Sequence, residues 1–217
     1  MPHKVVFLHG SPRKAGNTRA LAELAMEALA ARGVASEAID VPRLEYRHPG
    51  CVSCYQCQQG EDFRCHVDDE LARTVATLPR YDALVVATPV YWFSQPAQMK
   101  MFVDRMFSLV KIDEDGNVFS PLRGKVLALF ATAGGEEEEN VDILVKQWRI
   151  PAERMAMPFL TCLFPFCHFP PGEAAGDPES AARARNFGDR LAKALAEARA
   201  AGLFSGGNRQ KRFPPGR

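Results

Sequence analysis

The chain has 217 residues, 47% hydrophobic and 24% charged, a length that suits one domain and a composition too apolar for disorder. Lys and Arg total 27 against 26 Asp and Glu, and a net charge of +1 excludes the strong basic face that general nucleic-acid binding needs. Apolar runs such as Val126–Ala131 stop at six residues or so, far short of the roughly 20 of a membrane-spanning helix.

Met1-Pro2-His3-Lys4 leads straight into a strand-like run without a signal-peptide layout. The expectation is a cytoplasmic, reducing location, where six cysteines bind metal or stay reduced rather than form a disulfide framework. The first strand is Lys4–His9. A helix follows from about Asn17 to Arg32, with Leu21, Leu24, Ala25 and Leu29 on one face. A second strand is expected near Ala35–Val41. Residues 42–66 show neither helical nor strand period and hold four cysteines; so long a loop inside a compact domain is usually functional or disordered.

Helical spacing resumes after Asp68 with Leu71, Val75 and Leu78. Ala83–Thr88 is a continuous apolar run of the kind buried on both faces of a parallel sheet. Pro96 opens a third helix, with Met99, Val103 and Met106 as its stripe. Lys125–Thr132 is the fourth strand, and Val141, Leu144, Val145 and Trp148 mark the helix after it. Met155–Thr161 is the fifth strand, demoted to an edge by Pro158. A last helix spans about Pro178–Ala200. Residues 1–201 therefore read as one α/β domain, a doubly wound five-stranded parallel sheet. Residues 202–217 read as a basic, disordered tail.

Ligands of doubly wound folds sit beyond the carboxyl ends of the strands. The loop after the first strand, Gly10-Ser11-Pro12-Arg13-Lys14-Ala15-Gly16-Asn17-Thr18, opens a helix, whose free N–H groups and dipole favour a phosphate. It is no P-loop: five residues separate Gly10 from Gly16, and Asn17 stands where the lysine belongs. G-x-G-x-x-G is also missing. Helix capping by Ser11 and Thr18 is the competing explanation.

Ser11–Thr18 resembles the phosphate loop of the flavodoxin-like NADPH-dependent FMN reductase and iron–sulfur flavoprotein family. The resemblance extends to Thr88–Trp92, to the Ser94–Arg105 pattern Ser-x-x-x-Gln-Met-Lys-x-x-x-Asp-Arg, and to Ala131–Glu136. It implies strand order 2-1-3-4-5. It also implies FMN, its phosphate on Ser11, Arg13, Asn17 and Thr18 and its ring against Pro89, Val90, Tyr91, Trp92, Thr132, Gly134 and Gly135. Phe93 stands where the family usually has glycine. Core or interface packing is the competing reading of Tyr91 and Trp92. The acids Glu136–Glu139 read as dipole partners of the next helix, and His9 as a packed core histidine.

Cys51-x2-Cys54-x2-Cys57-x7-Cys65 matches in its first part the ligand run of [4Fe–4S] ferredoxins, and the whole resembles the compact cysteine motif of iron–sulfur flavoproteins. Zinc, with His48 or His66 joining, and free thiols remain open beside the cluster. Cys162 and Cys167 read as buried structural thiols. The function expected is an FMN-dependent oxidoreductase carrying electrons from NAD(P)H or a ferredoxin-type donor to a quinone or other small acceptor. A cluster-free NAD(P)H:quinone or FMN reductase is the first alternative, a non-catalytic metal- or redox-sensing module the second. The family implies a homodimer or homotetramer, with residues 107–121 as one contributing segment. Neither nucleic acid nor membrane is an expected partner.

Overall fold

The computed structural model describes residues 3–205. Five parallel strands form the central sheet: β1 (Lys4–His9), β2 (Ala35–Asp40), β3 (Ala83–Pro89), β6 (Val126–Thr132) and β7 (Phe159–Phe164). Their order is β2-β1-β3-β6-β7, the 2-1-3-4-5 arrangement of the flavodoxin-like fold. Two short strands, β4 (Lys111–Ile112) and β5 (Val118–Phe119), make a separate antiparallel hairpin.

Burial explains which runs became central. β6 is buried along its whole length, and β1 and β3 nearly so, so their continuous apolar sequences fill both faces of the sheet. On one face Val6, Leu8, Leu84, Val86, Leu127 and Leu129 pack with α2 (Glu70–Thr77), α3 (Ala97–Arg105) and α4 (Asp142–Arg154). Alternate residues Val5, Phe7, Val85 and Phe130 point to the other face, against α1 (Asn17–Ala31) and α5 (Pro178–Ala200). Pro158 has no N–H to give a neighbour, and the strand starts only after it, at the sheet edge, so the fifth strand lies at Phe159–Phe164 rather than Met155–Thr161.

The acids before α4 do not form its first turn. Glu138 is extended and Glu139 left-handed (φ 55°), so the run is an irregular link and the helix proper starts at Asp142. Residues 107–121 carry the β4–β5 hairpin, which packs against this chain's own cysteine loop: Lys111 Nζ donates to the carbonyls of Cys57 and Gly60, both at 2.8 Å. Leu203–Ser205 forms a turn beside Gly124; the rest of the expected basic tail lies outside the described residues. Among those residues no helix is long and apolar enough to cross a membrane.

Candidate functional site

β1 pairs with β2 on one side and β3 on the other, so the chain leaves the sheet in opposite directions from β1 and opens a crevice beyond its carboxyl end. A cavity of about 240 Å³ lies there. Ser11, Arg13, Asn17 and Thr18 line one end of it. Pro89, Val90 and Tyr91 from the end of β3, and Thr132, Ala133 and Gly134 from the end of β6, line its flanks. Three segments, the first and last more than a hundred residues apart, thus converge on one hollow.

Its polar end suits a phosphate. Gly16 precedes α1 with no side chain capping the helix and no acid in the first turn, which leaves its leading N–H groups and positive dipole end to an anion. Ser11 Oγ accepts from Arg13 N at 3.2 Å, which curls the loop back on itself. Arg13 is exposed, its guanidinium available for a forked contact with phosphate oxygens. Capping by Ser11 or Thr18 is therefore not what this loop does. Thr18 Oγ1 instead meets Thr132 Oγ1 at 2.6 Å in the buried floor, joining α1 to β6.

Two of the expected contacts, Trp92 and Gly135, lie outside the lining, and a third, Asn17, lies in it with its amide already engaged. Asn17 lines the cavity, but its amide is engaged: Nδ2 donates to Phe169 O at 2.8 Å and Oδ1 accepts from Ala174 N at 3.2 Å. It fastens the segment after β7 to the phosphate loop. Trp92 is 92% exposed and outside the lining. Tyr91 and Ser94 exchange backbone hydrogen bonds of 2.7 and 3.1 Å, and the two residues between them have φ of 48° and 64°. This is a two-residue hairpin turn of the primed type, normally built from Asn and Gly. The positive φ at Phe93 supplies the physical reason for the glycine expected there. Gly135 also lies outside; a Cβ there would stand 2.0 Å from Asn140 Nδ2, so it serves the close approach of the following link.

The segment after β7 was missed as part of the site. It contributes Cys167 and Phe169. Cys167 is half-buried at the cavity rather than a core thiol; burial pushes its thiol up, so it faces the hollow as a neutral S–H. Cys162 is buried, its thiol raised to about 12 by burial. No periodicity marks residues 165–172, and the only sequence hint was the aromatic Phe-Cys-His-Phe stretch following a strand. His9, 2% exposed, has its imidazole pulled down to about 4 mainly by burial, with Arg19 adding to the effect and Asp40 opposing it. It is a neutral core histidine.

Besides Lys111, a buried arginine holds the two ends of the cysteine loop. Arg105 is fully buried and its guanidinium donates to Gly50 O, to His48 O at 3.1 Å, to Asp69 Oδ2 at 3.1 Å and to Cys65 Sγ at 3.1 Å. Gly50 has φ +78° and a Cβ there would press on the Asp104 carboxylate at 3.0 Å, so only glycine brings the loop this close to α3. Cys51 and Cys54 are exposed, Cys57 and Cys65 half-buried. Among the described residues no group of three or more His, Cys, Asp or Glu is gathered as a metal-ligand set. The four thiols share a loop without converging.

A flavodoxin-like sheet with an anion-ready loop and two flat strand-end walls defines a mononucleotide-binding α/β protein, and comparison makes the class specific. Residues 3–158 match the model of the NADPH-dependent FMN reductase family. The chain belongs to that family and is by membership an FMN-dependent oxidoreductase. It is similar to an iron–sulfur flavoprotein of Methanocaldococcus jannaschii (27% identity, 88% of this chain and 97% of the relative). A second iron–sulfur flavoprotein, from Archaeoglobus fulgidus, is 30% identical over 88% of this chain and 80% of its own length. Among solved structures, the NAD(P)H:quinone oxidoreductase of Methanothermobacter marburgensis superposes with TM-score 0.68 at 20% identity, covering 88% of this chain and all of that one.

Proposed function

We propose that this protein takes a hydride from NAD(P)H onto FMN and passes the electrons to a small acceptor of the quinone class, working in the cytoplasm as a homodimer or homotetramer. The observation that carries the reading is the uncapped start of α1 opening into the same hollow as the ends of β3 and β6. FMN accepts a hydride in one step and can release electrons singly. The chain's part is to hold and orient it. Ser11, Arg13 and the first N–H groups of α1 bind the phosphate. Pro89, Val90 and Tyr91 wall one side of the ring, and Thr132 and Gly134 offer backbone groups to its edge. The neutral Cys167 thiol and Phe169 narrow the opposite side. No side chain is required as a nucleophile.

The finer reading adds a [4Fe–4S] cluster and a ferredoxin-type carrier, supported by the four-cysteine spacing and by what the two archaeal relatives are called. The residues that would hold it are Cys51, Cys54, Cys57 and Cys65, and cluster assembly requires the loop to gather their sulfurs. One measurement sorts the readings: the visible spectrum and iron and sulfide content of anaerobically purified protein. Two flavin bands that bleach with NAD(P)H support the reductase, and a brown shoulder with about four iron and four sulfide per chain supports the cluster. A colourless, zinc-containing protein returns the sensing module. Arg13→Ala with Thr18→Ala is expected to lose FMN while remaining folded; unchanged FMN affinity overturns the site.

A further inference from the structure

The segment after β7 forms one wall of the crevice in a single thickness of chain. Cys167 and Phe169 line the hollow, while Phe166 and residues 168–171 are exposed to solvent. Two bends shape this strap. Phe166 has φ 51° and Gly172 φ +88°, and a Cβ at Gly172 would meet Ala15 O at 3.4 Å, so the strap comes down on the phosphate loop itself.

Both ends are fixed. At the start, Phe166 N donates to Gly135 O at 3.0 Å and Cys167 N to Ala133 O at 2.7 Å. At the far end Ala174 is fully buried on the α1–α5 side of the core. Among the described residues, the hydrogen bonds that join residues 168–174 to the phosphate loop both come from one side chain: Asn17 Nδ2 donates to Phe169 O at 2.8 Å, and Asn17 Oδ1 accepts from Ala174 N at 3.2 Å. An amide engaged as donor and acceptor at once is fixed in one orientation, and neither alanine nor aspartate supplies both contacts.

We infer that Asn17 is a positioning residue, whose amide latches the 166–174 strap over the crevice and thereby sets how slowly a bound flavin leaves. The inference rests on the FMN reading of that crevice. It departs from the role the resemblance gives Asn17, and the two roles differ in what they hold. A phosphate ligand acts on FMN alone. A latch acts on the wall beside the ligand, so it retains riboflavin, which has no phosphate, as well as FMN. Local opening of the strap is the step through which either flavin escapes, and losing the latch raises the open fraction.

The test is the release rate of FMN and of riboflavin on dilution, followed by flavin fluorescence, for wild type, Asn17→Ala, Phe169→Ala and the double variant, with thermal melts confirming that each folds. Asn17→Ala is expected to release both flavins about 5- to 30-fold faster, the worth of one or two hydrogen bonds. Phe169→Ala keeps the carbonyl and removes the ring from the wall; combined with Asn17→Ala it should accelerate release by less than the product of the two single factors. Faster release of FMN alone makes Asn17 a phosphate ligand and overturns the latch, as do unchanged release of both flavins and strictly multiplicative factors. A second readout needs no flavin: chymotryptic cleavage after Phe166 and Phe169 in the apoprotein is expected to quicken in Asn17→Ala, and an unchanged rate overturns the latch. Wild-type protein that retains neither flavin refutes the FMN reading itself, and the cleavage rates then decide the latch separately.

Discussion

Thr18 and Thr132, separated by 114 residues, bring their hydroxyls to 2.6 Å in the floor of the flavin crevice. The pair ties the first helical turn after the phosphate loop to the carboxyl end of β6. Replacing Thr132 by Val leaves the buried Thr18 hydroxyl against a methyl, a loss of about 1–3 kcal/mol in unfolding free energy. Thr18→Val with Thr132→Val should lose less than the sum of the two single changes, because neither orphan remains. Denaturant titration of the four proteins decides this, and strictly additive losses would refute the link.

The Trp92-Phe93 turn holds two bulky residues at positive φ, each disfavoured by roughly 1–2 kcal/mol relative to a right-handed conformation. Trp92→Asn with Phe93→Gly installs the dipeptide that this turn prefers. Stability is expected to rise by about 1 kcal/mol, the strain released less the extra chain entropy of glycine and the lost contact of the two rings. A fall in the melting temperature would show that the aromatic pair, whose centroids lie 5.9 Å apart, is worth more than the strain.

His9 makes stability depend on pH in a predictable sense. Its native pKa is about 4 against an ordinary 6.5, so between those values the unfolded chain binds a proton that the native state refuses. Stability is intact above about pH 6.5 and declines as pH falls, by on the order of 3 kcal/mol at about pH 4. His9→Gln should flatten this part of the profile. Urea midpoints at about pH 7, 5.5 and 4.5 measure it; parallel profiles for variant and wild type would discount His9.

Arg105 and Asp69 form an ion pair at 3.1 Å with both side chains almost wholly out of solvent. Asp69 also accepts from Ala72 N and Arg47 N, so it cannot leave. Arg105→Met strands that carboxylate and is expected to cost roughly 3–5 kcal/mol. Arg105→Met with Asp69→Asn should recover part of the loss. Limited proteolysis supplies a local readout: cleavage between residues 46 and 66 should accelerate in the single variant, and an unchanged cleavage rate would show the loop to be anchored elsewhere.

Much of the fold was legible because β1, β3 and β6 are apolar on both faces and the helices between them carry clear stripes. The parts that escaped are those whose cause is distant in sequence. Phe169 and Cys167 enter the crevice because Asn17 reaches 152 residues to hold their segment, which no local pattern records. Trp92 looked like a ring contact, yet the hairpin turns it outward, and turn geometry at two non-glycine residues is invisible to propensity. The β4–β5 hairpin, only two residues per strand, is too short for an alternation to register. The cysteine spacing was plain, but how near the sulfurs lie depends on the loop's path from Gly50 to Cys65, which Arg105 sets from another element.

That arginine also dictates how the segment can diverge among descendants of this chain. Two of its acceptors, at residues 48 and 50, are main-chain carbonyls and are indifferent to the identity of the side chain at His48. The other two belong to the side chains of Cys65 and Asp69, so residues 65, 69 and 105 are bound to change together or not at all. Much of the intervening stretch is free to drift, and lysine, with three donors on a flexible stem in place of a planar five-donor fork, is no substitute at 105.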